Sequence, residues 1–237
     1  MTRPLYHEDS YLKEFHATIV EKVDGGVILH QSAFYPGGGG QPSDEGILKA
    51  GSIEYSVTRI KRNYASLIHV IDGETPEIGT EITGVINWGR RYQLMRTHTG
   101  LHILCGIIWR DYGALVTGGD MQPLNARMDF ELEHMSADFA KDVEQKVNAE
   151  VAASRPVSTD FLEREQAMKI PDLIRTKINL LPTDIKQIRV VNIHNLDMQA
   201  DGGTHVANTT EVGLIRVVGH ESKGRINKRL RIEIADK

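Results

Sequence analysis

The sequence contains a single cysteine, Cys105, among 237 residues. That excludes an intramolecular disulfide framework and every zinc site built on two or more thiolates. Long apolar runs are missing as well. Stretches such as Gly106-Ile107-Ile108-Trp109 are far too short to cross a bilayer. Acidic residues (Glu8, Asp9, Glu14 and Glu21) interrupt the opening of the chain before an apolar segment can form. Neither a signal peptide nor a transit peptide is therefore expected, and the cytoplasm is the expected compartment. There is no excess of positive charge: 28 Lys and Arg stand against 32 Asp and Glu, a formal charge of -4. A wholly basic nucleic-acid-binding protein is excluded, whereas local basic patches are not. What remains is globular composition, 40% hydrophobic and 25% charged, with length for one to two domains and a sizeable core.

Residues 1–88 read as mostly β. Segments 18–23 and 27–31 flank Asp24-Gly25-Gly26, a hairpin signal with glycines able to take positive φ. Further strand-like runs at 53–60, 66–71 and 81–87 are punctuated at intervals that suit a small barrel. From Arg90 the period changes. Leu94, Leu101, Leu104 and Ile108 predict a helix over 90–112 with Gly113 as its stop. Residues 136–153 read as an amphipathic helix with Ser136 as N-cap and Val143, Val147 and Val151 on one face. Strands are expected at 127–132, 156–162, 185–192, 212–218 and 224–234, without a clean βαβ repeat. The expected fold class is α+β: a small N-terminal β-barrel domain, residues 1–88, then an α+β domain with a mainly antiparallel sheet, residues 89–237.

Two segments carry metal-ligand chemistry. His98-Thr99-Gly100-Leu101-His102 places imidazoles at i and i+4, on one helical face, within reach of one ion. Asp201-Gly202-Gly203-Thr204-His205 offers a carboxylate and an imidazole four residues apart around a Gly-Gly turn. Together they supply four ligands from distant parts of the chain, and zinc is the first expectation. The same pieces also have plain readings, as a chance HxxxH and an ordinary turn. A zincin-type protease needs Glu directly after the first His, where Thr99 stands. A third segment is the run Gly37-Gly38-Gly39-Gly40 between Pro36 and Gln41-Pro42. Its amides are able to cradle an anion, or the run is only a connector. It is no P-loop, since no Gly-Lys-Ser/Thr follows. No Ser-His-Asp or Cys-His nucleophile stands out.

Four stretches match a known family in order and spacing: FYPGGGGQPSDEG at 34–46, RTHTGLHIL at 96–104, RMDF at 127–130 and GGTHV at 202–206. With the opening LYHEDSYL at 5–12, the chain resembles the stand-alone alanyl-tRNA editing proteins, in their longer form with an N-terminal barrel. These are relatives of the editing domain of alanyl-tRNA synthetase.

The resemblance implies a trans-editing ester hydrolase that deacylates tRNA for alanine mischarged with serine or glycine. It implies His98, His102 and His205 as zinc ligands, one ion per chain. The family's fourth ligand is usually a cysteine before Gly-Gly-Thr-His. Here Asp201 stands in that place, giving His₃Asp or three histidines alone, with other divalent ions made more competitive. Thr97, Thr99 and Gln41 are expected to contact the substrate's hydroxyl or amine, with Gly37, Gly38, Gly39, Gly40 and Arg96 as further substrate-binding residues. Cys105, seven residues beyond His98, lies about 10 Å further along the helix and is expected to be a buried structural thiol. Basic residues group as Arg90, Arg91 and Arg96, as Arg59, Lys61 and Arg62, and as Arg216, Lys223, Arg225, Lys228, Arg229 and Arg231. These are the expected tRNA contacts. Two other readings are a metal-binding tRNA module without catalysis and a metallohydrolase of small esters.

Overall fold

The computed structural model describes residues 1–179, 181 and 185–236. The chain separates into two compact units, Met1–Gln93 and Leu94–Lys237. In the first lie β1 (Arg3–Pro4), β2 (Glu14–Val23), β3 (Gly26–Leu29), β4 (Gln31–Ser32), β5 (Gly46–Ala50), β6 (Ile53–Asn63), β7 (Ser66–Ile71) and β8 (Glu81–Ile86). Six of these close into an antiparallel barrel in the order β2-β3-β7-β6-β5-β8, while β1 and β4 pair in parallel. Alternation explains the inward faces. Phe15, Ala17 and Ile19 of β2 are buried, as are Leu67, His69 and Ile71 of β7. Closure leaves the barrel without an open sheet edge. Val23 pairs with Gly26 across Asp24-Gly25, a two-residue turn in which Gly25 takes φ +69°.

The run expected at 27–31 is split, because β3 ends at Leu29 and β4 pairs elsewhere, with β1. β5 was not expected, since five residues separate it from the glycine run and its own GILKA sequence has no clean alternation. His69, 0% exposed, sits within the barrel core. Its Nδ1 donates to the Val27 carbonyl at 3.3 Å and its Nε2 lies 2.7 Å from Ser32 Oγ. Burial pushes its pKa down to about 4.

The glycine run has its own anchor. Gly37, Gly38, Gly39 and Gly40 all adopt positive φ, between 58° and 133°, which residues with a Cβ rarely take. Gly38 and Gln41 exchange backbone hydrogen bonds at 3.0 and 2.9 Å. At the end of the loop, Asp44 accepts from the Tyr35 amide at 2.6 Å. It also pairs with Arg91, whose Nε lies 2.9 and 3.0 Å from its two oxygens and whose Nη2 donates to Oδ2 as well. Both side chains are essentially unexposed.

The division between units falls inside α1 (Trp88–Tyr112). From Leu94 to Ile108 every residue of α1 is buried, so the helix is covered all round rather than on one apolar stripe. Gly113, at φ +62°, ends it by donating to the Trp109 carbonyl at 2.9 Å. There follow β9 (Val116–Gln122), β10 (Asn125–Phe130), α2 (Ala137–Ala152), β11 (Val157–Glu163), α3 (Arg164–Ala167), β12 (Gln187–Ile193), β13 (Asp197–Ala200), β14 (Ile215–Gly224) and β15 (Asn227–Ile234). One sheet has the order β14-β15-β10-β9 and a second the order β11-β12-β13, with every pairing antiparallel. A barrel followed by an α+β unit is the expected fold class.

Ser136 caps α2 by accepting from Phe139 N at 3.1 Å, and Val143, Val147 and Val151 are buried. Asn148 on α2 both donates to and accepts from the Ile215 backbone, at 2.7 and 2.9 Å, tying helix to sheet. β9 and β13 were not expected: Gly118-Gly119 reads as a turn, and β13 is four mostly polar residues. The strand expected at 185–192 begins at Gln187, and its first residues adjoin a stretch, 182–184, outside the described residues. Among the described residues no helix is long and apolar enough to cross a membrane.

Candidate metal centre

His98 and His102 lie one turn apart on the buried part of α1. Asp201 and His205 come from the loop after β13. Here the turn reading and the ligand reading coincide: Asp201 Oδ2 accepts the Gly203 amide at 2.6 Å, and this local turn aims the carboxylate. Arg189 on β12 holds the Asp201 backbone from behind, accepting from Asp201 N at 3.1 Å through its own carbonyl and donating from Nη1 to Asp201 O at 3.0 Å.

One ligand atom from each of His98, His102, Asp201 and His205 lies within 4.8 Å of the others. His205 Nε2 is 3.1 Å from Asp201 Oδ2, and His98 Nε2 is 3.5 Å from Asp201 Oδ1. Bonds of about 2.0–2.2 Å at tetrahedral angles put ligand atoms about 3.3–3.6 Å apart, so the His98–Asp201 spacing suits a shared ion and the His205–Asp201 spacing is slightly shorter, at hydrogen-bond length. All three histidines are at most 6% exposed.

Charge and tautomer also fit. Burial pushes the His98 pKa down to about 4 against the pull of Asp201. Burial and the neighbouring His98 hold His205 well below its usual value. Burial acts to raise Asp201, but His98 and His205 outweigh it and keep the carboxyl well below the usual range. Neutral His98 and His205 beside an ionised Asp201 are protonation states a cation requires, whereas the His102 shift runs the other way. His102 Nδ1 lies 2.8 Å from Asp197 Oδ2, and this bond, with the pull of Asp201, raises the His102 pKa despite burial. His205 Nδ1 lies 3.1 Å from Thr99 Oγ1, which also accepts the Val206 amide at 3.2 Å. With Nδ1 engaged in both rings, Nε2 is the atom each offers inward. The donor set of three imidazoles and one carboxylate fits a divalent ion.

The other expected site residues are placed as follows. Thr97 is fully buried, and its hydroxyl accepts the Leu124 amide at 2.8 Å in the β9–β10 turn. Thr99 is the hydroxyl beside His205 just described. Arg96, 3% exposed, donates to the Val212 and Ala235 carbonyls at 2.9 and 2.6 Å and reaches Asp236 at 3.3 Å. Gln41 and Gly37–Gly40 form the anchored loop of the first unit, with Gln41 buried. Cys105 is buried outside the ligand group, and burial and Asp197 push its thiol pKa up. Sequence reasoning missed Asp197 and Arg189, which lie four to twelve positions before Asp201 on strands and show their role only once β12 and β13 fold back on α1.

The basic groups separate by partner. Arg229 is paired with Asp129 at 2.7 Å, Arg231 with Glu221 at 2.6 Å, and Lys223 with Glu221 at 3.8 Å. Lys228 is buried and donates to backbone carbonyls of Gly224 and Arg225. Arg90 pairs with Glu45, and Arg91 is interior. Among the described residues, Arg59, Lys61, Arg62, Arg216 and Arg225 are exposed and form no ion pair. The crowded C-terminal cluster is thus largely neutralised on the fold itself.

Residues 8–90 match the family described as tRNA synthetases class II (A), and residues 188–231 match the threonyl and alanyl tRNA synthetase second additional domain. An alanyl-tRNA editing protein AlaX-M of Saccharolobus solfataricus is 39% identical over 233 residues, 97% of this chain and 98% of its own length. The AlaX-M protein of Methanosarcina barkeri is 35% identical over 100% of both chains. An alanine–tRNA ligase of Pyrobaculum aerophilum is 38% identical over 91% of this chain but only 25% of its own length. On identity sustained from end to end, the chain belongs to the AlaX-M family of alanyl-tRNA editing proteins.

Proposed function

We propose that the protein is a metal-dependent aminoacyl-tRNA deacylase that hydrolyses Ser-tRNA and Gly-tRNA for alanine, with one zinc ion held by His98, His102, Asp201 and His205. The observation that carries this reading is the convergence of three buried histidines and the partly buried Asp201, with ligand atoms within 4.8 Å of one another. A bound divalent ion would supply Lewis acidity for attack of water on the aminoacyl ester. The chain's own residues do the rest. Thr99 sets the His205 ring, and the Gly203 amide sets the Asp201 carboxylate. Burial excludes bulk water from the cluster, which strengthens every charge interaction in it. We read Arg96 and Thr97 as holding the fold, because their polar atoms are spent on Val212, Ala235 and Leu124. The amides of the glycine loop, with Gln41, are the proposed contacts to the acceptor end of the tRNA. Exposed Arg59, Lys61, Arg62, Arg216 and Arg225 are the proposed phosphate contacts. We place the reaction in the cytoplasm, where charged tRNA is used.

Metal analysis with deacylation assays on Ser-tRNA and Gly-tRNA, for wild type, Asp201→Ala and Asp201→Cys, tests the reading. Wild type and Asp201→Cys are expected to hold about one equivalent of zinc and to deacylate, and Asp201→Ala to lose both properties. Full metal and full activity in Asp201→Ala removes Asp201 from the ligand set. A wild type that binds zinc but leaves both tRNAs intact favours a binding module without catalysis.

A further inference from the structure

Asp197 opens β13, and its side chain is 0% exposed. Its Oδ2 accepts from His102 Nδ1 and from Gln199 Nε2, both at 2.8 Å. Its Oδ1 faces Arg175 Nη1 at 3.0 Å. Arg175 is itself held, with Nε donating to the Asp172 carbonyl at 3.3 Å and the guanidinium lying 5.3 Å over the Trp109 ring. The carboxylate therefore has Gln199 hydrogen-bonded to one oxygen and the Arg175 charge beside the other, independently of the imidazole. A separate observation shows how close this turn comes to the helix. Gly106 continues the His98–His102 face at the next i+4 position of α1. A Cβ there would lie 3.1 Å from Leu196 Cγ and 3.2 Å from Asp197 Cβ. Glycine weakens a helix interior relative to alanine, and here it makes room for the turn that carries Asp197.

We infer that Asp197 is a positioning residue of the metal centre: it holds His102 in the Nδ1–H tautomer, with Nε2 turned to the ion, and Arg175 and Gln199 hold Asp197. The inference rests on the zinc reading above. A carboxylate with only a structural task is already partnered by Arg175 and Gln199. The His102 bond adds the charged hydrogen-bond acceptor that orients a ligand imidazole and increases its donor strength. Asp197 touches neither substrate nor ion, and acts through the ring.

Two measurements test this. In the first, zinc affinity is read by competition with a chromophoric chelator, for wild type and Asp197→Asn, alongside urea unfolding of the zinc-free proteins. The expected result is a 10–100-fold weaker zinc affinity in Asp197→Asn protein that still unfolds cooperatively. A zinc affinity within threefold of wild type overturns the inference, whatever the change in zinc-free stability. The second uses wild type alone, so it decides the matter even if Asp197→Asn does not fold. In the nitrogen-15 spectrum of histidine-labelled, zinc-loaded protein, His102 is expected with Nδ1 protonated and Nε2 bound to metal. Protonated Nε2 overturns the inference. Failure of wild type to bind zinc at all sinks the metal reading itself, whereas unchanged affinity in Asp197→Asn sinks only the role of Asp197.

Discussion

At the scale of single residues, three buried histidines illustrate three environments. His98 has Asp201 opposite it, His102 has Asp197 behind it, and His69 meets Ser32 and backbone groups with no carboxylate beside it among the described contacts. The last is far in sequence from the metal cluster, in the barrel core, and gives a clean pH prediction. Its pKa falls from 6.5 to about 4 on folding. Between those values the unfolded chain binds a proton that the folded chain does not, so this contribution to stability is complete above pH 6.5 and declines as pH falls towards 4. Urea unfolding at pH 7 and pH 4.5 is expected to show wild type losing about 2–3 kcal/mol more than His69→Gln. Equal losses in the two proteins would show that His69 is not buried neutral. The HxxxH and Asp-Gly-Gly-Thr-His segments stood out in the sequence because each ligand pair is local, and the family resemblance joined them into one set. Asp197 and Arg189 were not, because each reaches the cluster from a strand whose fold-back on α1 no local pattern announces.

At the scale of elements, the glycine loop depends on its closing residue. Asp44 receives the Tyr35 amide and the buried Arg91 guanidinium. Removing one partner of a buried ion pair leaves the other charge without compensation. Asp44→Ala is therefore expected to cost about 3–5 kcal/mol, measured by denaturant unfolding. A cost below about 1 kcal/mol, as for an exposed pair, would contradict this account of the loop. The Ser136 cap is a smaller test, since Ser136→Ala is expected to cost about 1 kcal/mol through loss of the Phe139 bond. Most strands of the barrel were legible from strand-like runs set off by turn residues, as were α1 and α2 from their helical spacing. β5, β9 and β13 were not, because each is short or glycine-bearing and gains its ladder from neighbours rather than from its own propensity. The burial of α1 from Leu94 to Ile108 was also hidden, because Arg96, Thr97, His98 and Thr99 form a polar turn whose partners the sequence does not name.

At the scale of the whole molecule, sequence clusters of charge proved a poor map of surface charge. Arg229, Arg231 and Lys223 are spent on Asp129 and Glu221. The barrel trio Arg59, Lys61 and Arg62 is exposed without ion pairs among the described residues. Replacing all three by alanine is expected to weaken tRNA binding and to flatten its log–log salt dependence by about 0.7–0.9 for each phosphate no longer neutralised. An unchanged slope would move the tRNA surface elsewhere. The family is shown by end-to-end identity with AlaX-M proteins, and the proposed function adds to that kinship a His/Asp cluster that could hold a metal ion. The most direct test is the rate of Ser-tRNA deacylation by protein stripped with a chelator and then restored with one equivalent of zinc. The account predicts that stripping abolishes the rate and that zinc restores it. A stripped protein, verified metal-free, that deacylates at the full rate would contradict it.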